Sequence, residues 1–382
     1  MLPLSYALRN LFRDKSRLVQ TVGGSALVVL LIMAATALNG GMARTLSASG
    51  SPHNAILLGA GSEESIQRSE VSALLGGIAE ASIPGVSTIL GKPAVSPEIH
   101  YMTFLETPAG GKGQGLFRGV TPKALLVHPE VRITSGTFPG AGEVMLGRLA
   151  WRKLGLPAES LMPGSKVIID GAELTVSGIF AAPGTVMESE IWAAIGDLHM
   201  LAQRETVSCV VMKMETLRDF AEAELFSQQR LDLELTAMRE SDYYAALSDF
   251  YRPLRIMTWI TAGLVAAGAV FGGFNTLYAA FASRIRELAT LQAIGFGRAA
   301  VFFSLVQESL VACLAGTLLA SVLAIFLLDG LTIPFSIGAF TLTVSPAVAV
   351  VGLVAGTLLG VIGSIPPAIR CLQPSLPKAL RS

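Results

Sequence analysis

Four long apolar runs constrain the fold of this chain more than any other feature of its sequence. They cover residues 19–42, 255–282, 301–328 and 346–366 and contain almost no charged side chains. A helix rises about 1.5 Å per residue, so each run can cross a hydrocarbon core about 30 Å thick. Buried helices of a soluble protein are the alternative. A single chain of this size could hardly bury four apolar helices of such length in a soluble core. The sequence therefore predicts a polytopic α-helical membrane protein with four transmembrane helices.

The charge content agrees with this prediction. Charged residues make up 15% of the chain and hydrophobic residues 52%, and the mean hydropathy is +0.59. Soluble domains carry about 25% charged residues. The chain has 28 basic and 28 acidic residues, without the basic excess of a nucleic-acid binder. We therefore expect contact with membrane lipid and no nucleic-acid partner.

Basic residues flank the apolar runs unevenly. They occur in the segments 1–18, 283–300 and 367–382, whereas the loop 329–345 has none. Cytoplasmic loops are enriched in Lys and Arg. The pattern predicts a cytoplasmic amphipathic N-terminal segment, a cytoplasmic 283–300 loop and a cytoplasmic tail. A cleaved signal peptide is the alternative for the first run, because Ala35-Thr-Ala37 resembles a cleavage site, although the apolar region is longer than usual.

The segment 43–254 then forms a large domain outside the membrane, in a 1+3 layout of helices. It has 17 basic and 24 acidic residues and is long enough to bury its own core. Short β-like runs alternate with turns such as Pro139-Gly140 and Pro163-Gly164, which predicts an α/β fold. Apolar residues at helical spacing predict a stalk helix over 217–254 that leads into the second transmembrane helix.

Catalytic and nucleotide-binding motifs are missing from the sequence. It has no G-x-x-x-x-G-K-[ST], H-E-x-x-H, C-x-x-C or G-x-S-x-G pattern. We therefore expect no catalytic residue and no cofactor bound by this chain. The histidines are widely spaced, at His53, His100, His128 and His199. This spacing predicts surface or loop positions and no metal site, with a site assembled in space as the alternative. The predicted topology also separates the cysteines, so no disulfide is expected: Cys209, Cys313 and Cys371.

Glycines recur at four-residue spacing in two of the apolar runs. They are Gly268 and Gly272 in the second run and Gly352, Gly356 and Gly360 in the fourth. Such spacing lets two helix backbones approach closely. The spacing alone leaves two interpretations open, packing within one subunit and a dimer face or sliding contact.

Three polar residues interrupt the runs, Asn275 in the second and Gln307 and Glu308 in the third. A carboxylate inside a membrane is costly and usually marks a function or a buried partner. A structural hydrogen bond near the interface is the simpler interpretation of Glu308, because a proton relay needs several aligned ionisable groups. The runs suggest no polar tunnel, which disfavours a transporter with a midplane site for ions or sugars.

The 283–300 loop contains a predicted short amphipathic helix. Apolar residues recur at helical spacing from Ile285 to Ala293, charged residues gather at its start, and Gly295 supplies a C-terminal stop. One interpretation is a helix that lies on the lipid surface. The other is a docking element for a cytoplasmic partner.

Several segments, in order along nearly the whole chain, carry a family resemblance. They are Ala7–Arg17, Arg118–Pro122, Gly142–Gly147, Val176–Phe180, Ala269–Ala280, Arg284–Gly297, Gln307–Ser309 and Pro367–Arg381. Together they resemble the permease subunits of the FtsX/MacB-type (type VII) ABC transporter family. The three segments between residues 118 and 180 resemble the MacB-like periplasmic core domain of that family.

The resemblance implies a partner and a mechanism. Two permease chains would pair, each with a separate cytoplasmic ABC ATPase that binds ATP and Mg. The loop helix would be the coupling helix seated in the ATPase, with the motif residues Arg284, Arg286, Glu287, Leu291 and Gly295. This chain departs from the family at Gln292, where Arg is frequent. ATP hydrolysis would move the outer domain without carrying substrate through the membrane, a mechanism called mechanotransmission. The outer domain would consist of a membrane-proximal α/β lobe and an inserted β-rich lobe at about 119–205.

Two classes of function fit this resemblance. The preferred one is an inner-membrane export permease for a hydrophobic or amphipathic substrate such as a lipid, lipoprotein or peptide. A periplasmic adaptor and an outer-membrane channel would be further partners. The alternative is a non-transporting signal transmitter that activates a periplasmic cell-wall hydrolase. The large outer domain favours export. A membrane-anchored hydrolase would need a catalytic constellation that the sequence lacks.

Overall fold

The computed structural model describes residues 4–373. Contacts divide the chain into two compact units. Among the described residues, the membrane unit comprises 4–40, Pro253–Leu331 and 342–373. The outer unit comprises Gly41–Arg252 and Thr332–Thr341. Most of the predicted tail, including Lys378 and Arg381, lies outside the described residues.

Twelve α-helices occur in the described part of the chain. They are α1 (Leu4–Arg13), α2 (Lys15–Ser49), α3 (Leu75–Ser82), α4 (Ala124–Val127), α5 (Ala150–Leu154), α6 (Ile195–Leu201), α7 (Phe220–Gln229), α8 (Glu240–Phe250), α9 (Arg252–Ala282), α10 (Ile285–Ala293), α11 (Arg298–Leu327) and α12 (Pro346–Cys371).

Four of these helices are long and apolar enough to cross a membrane. α2, α9, α11 and α12 contain 35, 31, 30 and 26 residues, and the mean hydropathy of their apolar windows lies between 1.6 and 2.6. This confirms the predicted fold class, with one membrane helix before the outer unit and three after it. α2 extends beyond the predicted span 19–42 at both ends, because no proline interrupts its polar flanks.

Sixteen β-strands occur in the described part of the chain. They are β1 (Asn54–Gly59), β2 (Val71–Ser72), β3 (Thr88–Ile89), β4 (Lys92–Pro93), β5 (Val95–Glu106), β6 (Lys112–Val120), β7 (Arg132–Gly136), β8 (Glu143–Gly147), β9 (Lys166–Ile169), β10 (Ala172–Ala181), β11 (Ile191–Ala194), β12 (Thr206–Val207), β13 (Cys209–Lys213), β14 (Leu235–Arg239), β15 (Thr332–Phe335) and β16 (Gly338–Thr341).

One sheet of ten strands organises the outer unit. Its order is β14-β1-β13-β5-β6-β11-β8-β10-β7, and β9 pairs with β10 and β5. The long strand β5 joins the two halves, since its first residues pair with β13 and Ile99–Glu106 pair with β6. The predicted start of the β-rich lobe, at about 119, lies near the end of a strand of this sheet. β6 runs through that position, so this half of the sheet begins within β5.

The outer unit has its own hydrophobic core. Its fully buried members include Leu57, Ile99, Phe117, Val167 and Val210. Burying an aliphatic or phenyl side chain contributes about 1.5–3 kcal/mol each. This core stabilises the unit without a disulfide, because all three cysteines are free and buried.

The predicted stalk helix over 217–254 is wrong. The chain there forms α7, the strand β14, α8 and then the start of α9. Glu234 adopts a left-handed conformation with φ of +47°, and Ala237 in β14 pairs with Leu57 in β1. Backbone hydrogen bonds to a distant strand therefore outweigh the local helical spacing.

The loop 329–345 contains the hairpin β15–β16, which belongs to the outer unit. Lys153 Nζ donates a hydrogen bond to the Phe335 carbonyl at 2.6 Å, and the Ala339 amide donates to Ser189 Oγ at 2.9 Å. The predicted loop 329–345 therefore contains a β-hairpin that packs against the rest of the outer unit.

Two histidines are buried, contrary to their expected surface or loop positions. His100 is 6% exposed and His128 is fully buried, with Nε2 at 3.0 Å from Glu98 Oε1. Burial disfavours the His128 cation, but the carboxylates of Glu98, Glu130 and Glu240 outweigh this effect and raise the pKa of His128 to about 10. Sequence spacing missed this cluster because its members come from separate strands and helices.

Candidate functional site

The short helix α10 connects the membrane helices α9 and α11. It begins at Ile285 and ends at Ala293, and Gly295 then turns the chain with φ of +109°. Glycine adopts this conformation without the strain that a side chain would bring. The predicted helix and its glycine stop are both present in the structure.

One face of α10 packs against the membrane unit. Leu288 and Ala289 are buried, and Leu291 is half-buried against the same apolar cluster. The other members of that cluster come from α9, α11 and the C-terminal end of α12: Leu277, Phe281, Val301, Leu305, Ala368, Cys371 and Leu372. This contact fixes α10 to the ends of three membrane helices.

A continuous chain of five charged side chains also joins α10 to other helices. Arg13 Nη1 donates to Glu287 Oε1 at 2.7 Å, and Arg284 Nε donates to Glu287 Oε2 at 3.1 Å. Arg284 Nη1 reaches Glu308 Oε2 at 3.1 Å, and Arg17 pairs with Glu308 as well. This ion-pair network connects α1, α2, α10 and α11 through three arginines and two glutamates.

Burial differs along this chain of charges. The side chain of Glu308 is 3% exposed, those of Arg17 and Arg284 are 10% and 12% exposed, and that of Glu287 is 39% exposed. Burial opposes ionisation of Glu287, but hydrogen bonds from Arg13 and Arg284 outweigh it and lower the pKa of this carboxyl. Glu308 is therefore the buried centre of the network and Glu287 its exposed end.

The opposite face of α10 is exposed. It presents Arg286, Thr290 and Ala293 at helical spacing, and Ile294, which directly follows the helix on the same side, is 72% exposed. This surface thus combines the charge of Arg286 with one large exposed apolar side chain, Ile294. This face can bind a partner while the other face holds the helix in place.

The five residues predicted for coupling differ in their surroundings in the structure. Arg284 and Glu287 lie in the ion-pair chain and Leu291 packs inward, whereas Arg286 and Gly295 are exposed. Of the polar residues predicted in the spans, Glu308 is ion-paired, Gln307 is half-buried and Asn275 is exposed.

Sequence reasoning missed Arg13 and Arg17 as members of the network. The sequence pattern includes both residues only as members of the basic segment 1–18. The available signal was Glu308 itself, because a carboxylate near the inner end of a membrane helix needs a cation of similar depth. Arg17, at the start of the first membrane helix, meets that requirement.

The structure also separates the two sets of glycines. A Cβ on Gly352 would lie 2.8 Å from Met33 Sδ, one on Gly356 would overlap Thr317 Oγ1, and one on Gly360 would lie 3.0 Å from Leu310 Cα. Gly268 and Gly272 have open space around them. The α12 glycines therefore pack against α2 and α11 within the chain. The α9 glycines make no such helix–helix contact within the chain.

Replacing Gly356 with leucine is expected to destabilise the membrane unit. The added side chain meets Thr317 on α11, and overpacking of this kind costs about 1–3 kcal/mol. Thermal unfolding of the detergent-solubilised protein measures the effect. Gly263→Leu is the matched control, since Gly263 lies on α9 with nothing within 4 Å. Equal losses in both variants would contradict the packing of α12.

These features define a class of protein, a multi-pass membrane protein with an α/β extracytoplasmic unit inserted after its first membrane helix. Residues 19–225 match the family model of the MacB-like periplasmic core domain, and residues 259–376 match that of the FtsX-like permease C-terminal domain. The chain belongs to the FtsX/MacB-type permease family. Permease subunits of this family are generally non-enzymatic and act with a separate ABC ATPase.

Solved structures of outer domains are similar to about half of this chain. The periplasmic region of MacB from Actinobacillus actinomycetemcomitans is 12% identical over 51% of this chain and 91% of its own, with a TM-score of 0.39. The extracellular domain of the ABC-type transporter YknZ from Gram-positive bacteria is 14% identical over 49% and 100%, with a TM-score of 0.38. A domain of a putative permease protein from Porphyromonas gingivalis is 14% identical over 50% and 91%, with a TM-score of 0.35. No curated protein matches the sequence.

Proposed function

We propose that this chain is the membrane subunit of an ABC transporter and that α10 is its contact with a cytoplasmic ATPase. The observation that carries the proposal is the two-faced character of α10. Its inner face is fixed by Leu288 and by the ion pairs of Arg284 and Glu287, and its outer face exposes Ile294. A helix held in this way transmits a push from a bound partner to α9 and α11 instead of moving alone.

The transmitted movement would act on the outer unit, as mechanotransmission requires. The substrate class that fits is hydrophobic or amphipathic, such as a lipid, lipoprotein or peptide. The ion-paired state of Glu308 supports this, because a carboxylate neutralised by two arginines is a poor binding site for a transported cation. The membrane unit also has a cavity of about 300 Å³ lined mainly by small and apolar residues, among them Gly24, Leu277 and Leu359.

The same proposal includes a homodimer in the inner membrane, with both termini in the cytoplasm. α9 supports the dimer, since 6% of its apolar window is buried within the chain, against 33–39% for the other three membrane helices. Its exposed Gly268 and Gly272 would permit close contact with a second copy. A periplasmic adaptor and an outer-membrane channel would complete the export pathway.

Cross-linking through Thr290→Cys tests the ATPase contact. The natural cysteines are buried, so a thiol-specific cross-linker reacts first at the exposed face of α10. We expect a cross-linked product in native membranes that mass spectrometry identifies as this chain joined to an ABC ATPase. Leu331→Cys is the control, because Leu331 is 49% exposed beyond the other end of α11. A product at Leu331 but not at Thr290 would overturn the assignment.

Reconstitution distinguishes export from signalling. Liposomes that contain the chain and its ATPase should release a fluorescent lipid or lipid-anchored peptide when ATP is added. ATP hydrolysis that releases none of these, but activates a cell-wall hydrolase, would favour the signal transmitter.

A further inference from the structure

Buried polar residues from adjacent strands meet on one face of the outer sheet. Cys209 in β13 lies opposite Glu98 in β5, and Arg118 in β6 lies opposite His100 in β5. Alternate residues of a strand point to the same face, so Glu98 and His100 share this face. Glu98 and Cys209 are fully buried and His100 is 6% exposed.

Three of these side chains bring together the donor atoms that metals such as zinc prefer. A carboxylate oxygen of Glu98, an imidazole nitrogen of His100 and the Cys209 sulfur all lie within 4.8 Å of one another. Zinc binds carboxylate oxygen, imidazole nitrogen and thiolate sulfur at about 2.0–2.3 Å, which places tetrahedral ligand atoms about 3.3–3.8 Å apart. The three donor atoms lie up to 4.8 Å apart, wider than a bound zinc would hold them, so they would move inward on binding.

One side-chain atom of His100 has no hydrogen-bond partner among the described residues. Its Nε2 is buried without one, and the nearest carboxylate oxygen, Glu98 Oε2, is 3.5 Å away. Buried polar atoms are nearly always satisfied by a partner, a water or an ion. A metal ligated by Nε2 would supply the missing interaction, and Cys209 lies within reach of the same ion.

The surrounding charges are compatible with a cation. Two buried carboxylates, Glu98 and Glu190, pair with Arg118, and a third, Glu240, lies 3.8 Å from Nδ1 of His128. Arg118 pairs with both oxygens of Glu190 at 2.7 Å and with Glu98 at 2.6 Å. His128, at 3.0 Å from Glu98 Oε1, is the other group that can carry positive charge here.

We propose that Glu98, His100 and Cys209 form a binding site for zinc or a similar thiophilic divalent cation. On binding, the Cys209 thiol loses its proton to solvent and the thiolate becomes the ligand. The ion would tie β13 to β5, the strand that joins the two halves of the sheet. The site is independent of the proposed transport function.

Metal content of the purified full-length chain tests the site. The protein is expressed with added zinc chloride, purified in detergent and measured by inductively coupled plasma mass spectrometry. We expect close to one zinc per chain for the wild type and at least a fivefold loss in His100→Gln and Cys209→Ser. His53→Gln and Cys313→Ser are the matched controls, and both should keep the wild-type metal content.

Cobalt gives a second readout that does not depend on variants folding. Wild-type chain grown in cobalt should show the near-ultraviolet absorption of a thiolate–cobalt bond. Substoichiometric zinc in the wild type, or equal metal content in all four variants, would overturn the proposal. So would a cobalt spectrum without thiolate absorption.

Discussion

Replacing Ile294 with aspartate is expected to abolish stimulation of the partner ATPase while leaving the chain folded. Ile294 is 72% exposed on the outer face of α10, so the chain alone loses no buried contact. In a complex, the aspartate would be an unpaired charge in an apolar contact. Central contact residues contribute about 2 kcal/mol or more, which corresponds to at least about a 30-fold loss of affinity.

The measurement is ATP hydrolysis by the reconstituted complex, together with the affinity of the ATPase for the detergent-solubilised chain. Leu331→Asp is the matched control, because it places the same charge on an exposed leucine beyond the opposite end of α11. We expect this control to keep normal stimulation. Normal stimulation in Ile294→Asp would remove α10 from the docking surface.

The second large effect is expected at Glu308. Its replacement with glutamine leaves Arg17 and Arg284 without their shared buried carboxylate. Removing one partner of a buried ion pair typically costs about 3–5 kcal/mol, because the remaining charge is left uncompensated. We therefore expect a large decrease in the unfolding free energy of the membrane unit, measured by thermal or denaturant unfolding in detergent.

Glu287→Gln provides the control for this prediction. Glu287 belongs to the same ion-pair chain, but its side chain is 39% exposed and its arginine partner Arg13 is 67% exposed. Exposed ion pairs contribute about 0–1 kcal/mol. A loss as large for Glu287→Gln as for Glu308→Gln would show that burial does not set the strength of this network.

The two predictions distinguish residues that would contact the ATPase from residues that stabilise the membrane unit. Reversing the charges of Arg284 and Glu287 disturbs the ion pairs that hold α10 before it disturbs any partner contact. A loss of coupling in that variant would therefore have two explanations. Changes at Thr290 and Ile294 affect the exposed face alone, so they test the docking surface more directly.

The membrane character, the 1+3 layout, the family and the position of α10 could all be predicted from the sequence. These features depend on properties that are local in sequence. A run of about 20 apolar residues matches the hydrocarbon thickness wherever it occurs, and a helix with a glycine stop such as Gly295 needs no distant partner to be recognised.

The pairing of residues that are distant in sequence could not be predicted and follows from the fold. In the fold, Arg17 pairs with Glu308, and His100 lies next to Glu98. Gly356 packs closely against Thr317, whereas Gly268 is exposed. The segment predicted as a stalk helix forms a helix, a strand and a second helix, because its strand β14 pairs with β1 at the edge of the sheet. The physical reason is the same in each case. Burial and charge compensation depend on which surfaces meet in space, and that information is not contained in the spacing of any one segment.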